Sequence, residues 1–425
     1  MTEESTHVLN PGVVASNVLT ARWAGAAGGR GGQLVLSGAA VWPLLAALAA
    51  GAEGQARKEL GRALGIPAAS ALAAMRDVLG AIDRGTGVHP ALGLWLSKDV
   101  HLHSAWSAAL PANIRGVLSG RPKRDQAALD AWVYKHTLGI LDRLPVQLES
   151  NTYLVLVACL AIRTTWDTRF TDGHGVPRSF ASGPWKDRLV TGLQAESEDL
   201  TRIAVFDTPA GAVTMFDSRG VDSVDVHLVL GPTHAAAGDV LRESIVALTE
   251  SLPRRSGGEL LPGDPAPGVL VADVPCERPR SPWLSVQTVS FEVAAKHDLR
   301  RHGELFGLMA ASDVSREHFP GITDSPLAVG PARQHARAMF TARGFEAAAS
   351  TASIMLYGMS RPPSGRHTVR VIQLMFDRPF GFIAIDRPSG LVLMAGWVDE
   401  PTPHPDAADY EVVREGNTVA VKSRS

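Results

Sequence analysis

Apolar positions recur in three rhythms along this chain. From Val14 to Ala24 they return at helical spacing, and again from Trp42 through Leu45 to Leu48 and from Glu53 to Leu64. Ser37 stands just ahead of the second run, where its hydroxyl can cap a helix N-terminus, and Gly65-Ile66-Pro67 stops the third. Thr152 to Trp166 carries the unbroken run Tyr153-Leu154-Val155-Leu156-Val157-Ala158-Cys159-Leu160-Ala161-Ile162, which predicts a strand covered on both faces. Val224 to Leu230 alternates, so it predicts a strand of a second sheet. Strands are also expected at Gln33–Leu36 and Leu92–Ser97, with a helical stretch from Ser104. Near the end, Val369 to Ile385 and Gly390 to Val398 flank Asp386-Arg387-Pro388-Ser389-Gly390 and read as a β-hairpin.

One stretch fits none of these rhythms. Gly344-Phe345-Glu346-Ala347-Ala348-Ala349-Ser350-Thr351-Ala352-Ser353 continues into Ile354-Met355-Leu356-Tyr357-Gly358-Met359-Ser360. Its alanines suit a turn or two of helix, or a mobile surface loop. Its small side chains and full set of N–H donors, free of proline until Pro362, equally suit a central strand. Extended, Glu346 to Met359 would reach roughly 45 Å, which is oversized for a mere connection.

Composition narrows the possibilities. The 425 residues are 45% hydrophobic, enough for one large domain or two intimate ones, and the formal charge of -2 gives no reason to expect nucleic acid or an anionic membrane as partner. Forty-one glycines and 28 prolines imply many turns. Two cysteines, Cys159 and Cys276, make no disulfide framework and have no partner at metal-ligand spacing, so neither metal nor cofactor is expected. His227 and His234 likewise lack ligand spacing and read as solvated or capping groups. The Gly-rich run from Gly25 to Gly32 follows a helix and precedes a strand, the reverse of a dinucleotide loop, and reads as a connection. Arg254-Arg255-Ser256-Gly257-Gly258 and Pro262 to Gly268 read as loops, the first exposed to nicking. No Gly-x-Ser-x-Gly elbow, His-Glu-x-x-His or Walker loop occurs, so no catalytic residues are assigned and an enzyme is not expected. Met1 to His7 is polar and acidic rather than signal-like, and the apolar stretch from Ala39 to Ala50 is broken by Pro43 and too short for a bilayer; a soluble, cytoplasmic protein is the expectation.

Phe376-Asp377-Arg378-Pro379-Phe380, the following hairpin, Gly396 and Asp399-Glu400-Pro401 resemble the C-terminal signature of the serpins, and Gly344-x-Glu346-Ala347-Ala348-Ala349 resembles their hinge. In the family's order come Gln33 to Leu60; Leu129-Asp130-Ala131-Trp132-Val133 with Thr137 and Gly139; Trp166 and Phe170; Val289-Ser290-Phe291-Glu292-Val293; and Phe319-Pro320-Gly321-Ile322-Thr323. Val329 to Phe340 would then be the strand that climbs to the loop. Together these matches cover roughly two thirds of the chain. The resemblance implies an α+β serpin fold of bacterial type: a large, mostly antiparallel central sheet, a second sheet or barrel, helices packed around, and an exposed reactive loop. The domain would span 1–402 with its loop at about 342–368, and 403–425 would be a C-terminal tail, solvated and flexible, with a short strand at Tyr410-Glu411-Val412-Val413 as the alternative. Because many serpins are secreted, an extracellular location is the alternative to the cytoplasm.

The implied function is that of a monomeric suicide-substrate inhibitor of a serine protease, or of a cysteine protease. The cut loop would enter the central sheet as a new strand, a conformational change that traps the acyl-enzyme. The alternative is a non-inhibitory serpin that acts as a carrier, binding protein or chaperone. Counting from Gly344 places the scissile bond at Gly358-Met359 or Met359-Ser360. Met359 is the favoured recognised side chain, which suits chymotrypsin-, elastase- or subtilisin-like enzymes; Tyr357 and Leu356 are fallbacks. The hinge is Gly344, Phe345, Glu346, Ala347, Ala348, Ala349 and Ser350. Ser37 falls beneath the main sheet and Trp166 at its top, where the loop first enters. Three departures stand out. Phe345 replaces a small hinge residue, so its ring must be buried at the first step of insertion and is expected to slow it. Ala342 replaces a glutamate. Ala158 and Gln334 stand where a buried Asn and His commonly bridge the strands, with neighbouring His335 as the substitute bridge.

Overall fold

The computed structural model describes residues 10–29, 32–144, 146–180, 182–345, 366–415 and 418–424. The chain opens with helix α1 (Pro11–Ala27), capped by the Asn10 side chain on Gly12 N and begun by a proline whose missing N–H costs nothing there. Strand β1 (Leu34–Leu36) leads to α2 (Gly38–Gly51), α3 (Gly54–Leu64) and α4 (Ala71–Arg84). Ser37 caps α2 by accepting from Ala40 N, as its position predicts. Next come β2 (Val88–Ser97), α5 (Ser104–Ala109), β3 (Arg115–Leu118), α6 (Pro122–His136), β4 (Leu154–Ile162) and β5 (Thr164–Thr165). The middle of the chain holds β6 (Gly192–Ser197), β7 (Ile203–Thr208), β8 (Gly211–Ser218), β9 (Val224–Leu230), α7 (Ala237–Thr249), β10 (Arg255–Ser256), β11 (Val269–Cys276), β12 (Trp283–Val289) and β13 (Phe291–Asp298). The last part adds α8 (Gly303–Phe306), β14 (Ala332–Phe340), β15 (Gly344–Phe345), β16 (His367–Met375), β17 (Phe380–Asp386), β18 (Leu391–Val398), β19 (Tyr410–Glu415) and β20 (Thr418–Ser423).

Three sheets organise these strands. The body of the main sheet runs β3-β2-β4-β14-β13, antiparallel at β2–β4 and β13–β14 and parallel at β2–β3 and β4–β14. A second, seven-stranded sheet runs β1-β18-β17-β9-β8-β7-β10, and a third runs β11-β16-β12-β6. β4 is buried along its whole length, as an apolar run without alternation requires. One of its faces joins the core shared with the second sheet, where Phe340, Phe291 and Phe382 meet; the other, with Val155, Val157 and Cys159, lies under Leu129 and Val133 of α6.

The helices are tied to the second sheet by polar groups as well as by burial. Asn17 of α1 is 2% exposed; its amide donates to Gly390 O at 2.9 Å and accepts from Val392 N at 2.8 Å, which fixes the turn of the β17–β18 hairpin. At the same turn Arg387 reaches Asp225 of β9 through Nε at 2.7 Å, and the carboxylate holds the guanidinium pKa above its ordinary value. α1 and α7 touch backbone to backbone at Gly28 and Gly238, where a Cβ on either residue would meet main-chain atoms at about 2.5 Å.

Several expectations change. His227 on β9 is largely enclosed, 3.9 Å from Asp217, and burial pushes its pKa down, so it is neither solvated nor a cap. Arg255–Ser256 forms β10 against β7, with Arg255 bonded to Asp264 at 3.0 Å, rather than an open loop. Residues after 402 are not simply solvated: β19 and β20 pair antiparallel, His404 N donates to Leu189 O at 2.9 Å, and Arg414 pairs with Asp187. Val412, Val413, Val419 and Val421 give this hairpin the β-branched content that strands favour. Replacing Asn17 by Ala should leave a buried N–H and C=O unpaired and lower stability by about 2–4 kcal/mol, read as a fall in the urea midpoint at unchanged m-value.

Candidate functional site

The site begins where the climbing strand turns. β14 ends at Phe340, and the chain reverses through Thr341-Ala342-Arg343 into β15, closed by Thr341 N donating to Gly344 O at 2.9 Å. β15 is antiparallel to both of its neighbours: Phe345 pairs with Phe340 on one side and with Thr164 of β5 on the other, while Gly344 pairs with Thr165. Gly344 is required by proximity, since a Cβ there would lie 2.1 Å from Thr164 O. The first two hinge residues therefore already form a short strand between the two flanks at the top of the main sheet.

An aromatic cluster holds that turn. Trp166 donates through Nε1 to Thr341 O at 2.9 Å, and its backbone N–H donates to Arg343 O at 3.0 Å. Phe170 N donates to Ala342 O at 3.0 Å. The Trp166 ring lies 4.7 Å from that of Phe340, and Phe340 stacks on Phe291 at 5.2 Å. Phe345 is 2% exposed, with its ring 5.9 Å from Phe382 of the second sheet. The expectation that burial of this ring would be a step of insertion is corrected: the ring is buried in the uncut chain, because the space above Phe382 is apolar and open to it.

Below the hinge the seam is closed. Ala332 to Ala336 of β14 pair directly and in parallel with Leu156 to Leu160 of β4, which sets Gln334 beside Ala158 and His335 beside Cys159. Gln334 is fully buried; its Oε1 accepts from Ser37 N at 3.1 Å and its Nε2 donates to Ser37 O at 2.7 Å. Ser37 Oγ in turn donates to Leu393 O at 2.6 Å. This link ties β14 to the second sheet and leaves β4 free, so it does not cross the seam; Ala158 adds only a methyl group.

His335 does not stand in for Gln334, because alternate residues on a strand face opposite ways. Its ring points to the other face and donates through Nδ1 to Arg143 O at 3.2 Å, while Arg337 reaches Ile140 O at 3.3 Å. The connection that follows α6 is thereby fastened across the seam. Burial holds the His335 pKa below the ordinary value, with Lys296 and Arg337 acting in the same sense and the bond to Arg143 and the charge of Asp142 opposing. The thiol of Cys159, sealed beneath α6, is pushed up to about 12 and is unreactive.

Glu346, Ala347, Ala348, Ala349, Ser350, Gly358, Met359 and Ser360 lie outside the described residues. Among the rest, the structure gathers Gly344, Phe345 and Trp166 at the top of the seam and Gln334, Ala158 and Ser37 midway down one face, with His335 on the opposite face. Sequence reasoning missed the carbonyls of Arg143 and Ile140, which no side-chain pattern reveals. It also missed β11, although the valines of Val269-Leu270-Val271-Ala272-Asp273-Val274 after a Pro/Gly loop were a usable strand signal.

Comparison with known proteins converges on one family. Residues 25–197 match the family model described as serpin (serine protease inhibitor). Serpin-Z2A of Oryza sativa subsp. japonica is 26% identical over 415 residues, spanning 87% of this chain and 92% of its own. The family model, the relatives and the structural neighbours all support the serpin family, whose fold this chain has. Serpins are generally protease inhibitors rather than enzymes. Among solved structures, native protease nexin-1 with heparin superposes with a TM-score of 0.66 at 17% identity, covering 92% of this chain and 98% of that chain. A thyroxine-binding globulin complex with thyroxine reaches a TM-score of 0.70 at 16% identity, covering 92% and 99%. The matched relatives come from plants and animals, so they lend no support to a bacterial type.

A depressed histidine pKa favours the fold above the unfolded value near 6.5, and that contribution is lost as pH falls through the native value. The uncut chain should therefore lose stability progressively below about pH 6.5. His227 and His297 act in the same direction as His335. His335→Gln should flatten part of the slope of urea midpoint against pH; an unchanged slope would exclude this ring as a contributor. Phe345→Ala, which empties the pocket above Phe382, should cost the uncut form about 3–5 kcal/mol in the same measurement.

Proposed function

We propose that this serpin is a suicide-substrate inhibitor of serine-type endopeptidases, recognised through Met359. The observation that carries the reading is the double antiparallel pairing of Phe345 above a parallel seam. Two parallel strands admit between them a strand antiparallel to both, and that is the direction a chain descending from β15 would have. The two pairings are also in register with each other, because β4 and β14 keep the same offset from Ala332 up to Phe340.

Stepping down from Phe345 one residue at a time, Ala347 would meet Ile162 and Ala338, Ala349 would meet Leu160 and Ala336, Thr351 would meet Ala158 and Gln334, and Ser353 would meet Leu156 and Ala332. These residues would share the inward face with Phe345, and each is small enough for it. Thr351 could offer its hydroxyl to Gln334. Glu346, Ala348, Ser350 and Ala352 would face α6 and its connection, which must lift away from His335 and Arg337.

In the reaction the protease serine attacks the Met359 carbonyl, the Met359–Ser360 bond breaks, and Ser360 leaves as the amine. The acyl ester then awaits water. Freed at that end, Glu346 to Met355 would descend beside Leu154, roughly 33 Å at strand rise, and draw the protease with them. One ladder between β4 and β14 would be exchanged for two, a gain of roughly a dozen bonds at about a kcal/mol net each. The uncut fold is then held by kinetics rather than by equilibrium.

Incubation with elastase- or subtilisin-like proteases should give a covalent complex that survives SDS. Chain nicked in the loop should melt roughly 10–20 °C above uncut chain, since one kcal/mol moves a chain of this size by about one to two degrees. Thr351→Arg, which would bury a charge beside Ala158, should abolish both effects and leave an ordinary substrate. Nicked wild-type protein that melts where uncut protein does, with no complex formed, would overturn the inhibitory reading in favour of a binding or carrier role.

A further inference from the structure

The third sheet has an outer strand, β11, whose place raises a separate question. β16, the strand directly after the reactive loop, lies between β11 and β12. The two partners do not cover the same length of it. β12 pairs with Val371 to Met375, whereas β11 pairs with all of His367 to Leu374. The half of β16 nearest the loop, His367 to Arg370, is therefore held by β11 alone, against Asp273, Val274, Pro275 and Cys276.

A side-chain lock sits at the boundary between the two halves. Arg370 binds Asp273 through Nε at 2.9 Å and Nη2 at 3.1 Å, a two-point pair across the β11–β16 ladder. Its remaining nitrogen donates to Leu260 O at 2.9 Å and Gly258 O at 3.2 Å, in the segment that precedes β11. That segment is fastened in turn by Arg255 to Asp264 at 3.0 Å and by β10 on β7.

Chain length shows what this lock opposes. If the uncut loop descended to Leu154 in the register of Phe345, eleven residues, 356–366, would remain to return to His367. Fully extended they reach at most about 40 Å. The climb back along the main sheet takes roughly 33 Å of that. β12 runs through Ser290 into β13, whose Phe291 pairs with Phe340, so the Met375 end of β16 lies by the top of the main sheet. The His367 end is about 26 Å further along the strand. The slack is too small, and it can be supplied only by peeling β16 from its His367 end, where each freed residue adds about 3.4 Å.

We infer that β11, locked through Asp273 and Arg370, is a clamp on β16 that denies the intact loop this slack and so reserves insertion for the cut loop. Cutting at Met359 removes the tether altogether, so the clamp does not hinder the productive step. The inference rests on the proposed insertion mechanism, and the two fail separately.

Uncut wild type, Asp273→Ala and Arg370→Ala are held at one temperature below melting. Conversion is followed as loss of loop cleavage by subtilisin together with gain of a higher-melting species of intact mass. Both variants should convert at least tenfold faster than wild type, and Arg370→Lys, which keeps one bond to Asp273, should fall between. Each variant is also nicked at the start, to show the same rise in Tm as wild type and hence a competent fold. Variant rates within twofold of wild type, with that rise intact, would overturn the clamp and leave the inhibitory reading standing. Absence of the rise in wild type would remove both.

Discussion

The short parallel ladder between β4 and β14 is the constraint on which the rest of this molecule turns. Two strands that run the same way, joined directly over Ala332 to Ala336, close the main sheet and are so directed that one newcomer could be antiparallel to both. What surrounds the ladder bears on its opening. Beneath it, Gln334 anchors β14 to Ser37 and through it to Leu393, so β14 has a fixed footing in the second sheet. Above it, α6 and its connection lie over β4 and take hydrogen bonds from His335 and Arg337 on β14. The seam is fastened on its outer face and left unbridged by polar side chains on its inner one.

Gly344 and Phe345 dock at the top of that closed sheet. Gly344 fits against Thr164 O only because it has no side chain, and Phe345 sinks its ring towards Phe382. A large residue at this position works here because the space it fills belongs to the core between the sheets, not to the seam. Burial of a phenylalanine is worth a few kcal/mol, which favours keeping β15 docked in the uncut chain. Under the proposed mechanism, such docking would set where a descending strand begins, and its register, before any bond is cut. The turn that carries it depends on Trp166 and Phe170, whose backbone and indole N–H groups satisfy three successive carbonyls, Thr341, Ala342 and Arg343.

The far end of the loop is restrained by different means. Where the hinge is set by apolar packing, the loop end of β16 is set by its ladder with β11 and by an arginine with four hydrogen bonds to three partners. Apolar packing tolerates sliding along a groove, whereas a bidentate ion pair with two carbonyl bonds holds one register. In the proposed mechanism the two ends of the loop would thus have opposite tasks, one to begin the movement and the other to resist being drawn into it.

Much of this was legible in the residues. Unbroken burial along β4, the α2 cap at Ser37 and the hairpin around Asp386 to Gly390 follow from local rules that need no knowledge of distant partners. The family resemblance in ordered motifs implies Trp166 at the top of the main sheet, where its ring lies 4.7 Å from that of Phe340. What required the tertiary structure was every feature that depends on which side of a strand faces what. Gln334, not His335, carries the polar link because strand parity sends neighbouring side chains to opposite faces, and only the assembled sheets say which face holds Ser37. Phe345 is accommodated because Phe382, nearly forty residues later, comes to lie beneath it. Sequence fixes the alternation of a strand; the choice of neighbour is a long-range matter, decided when the sheets pack.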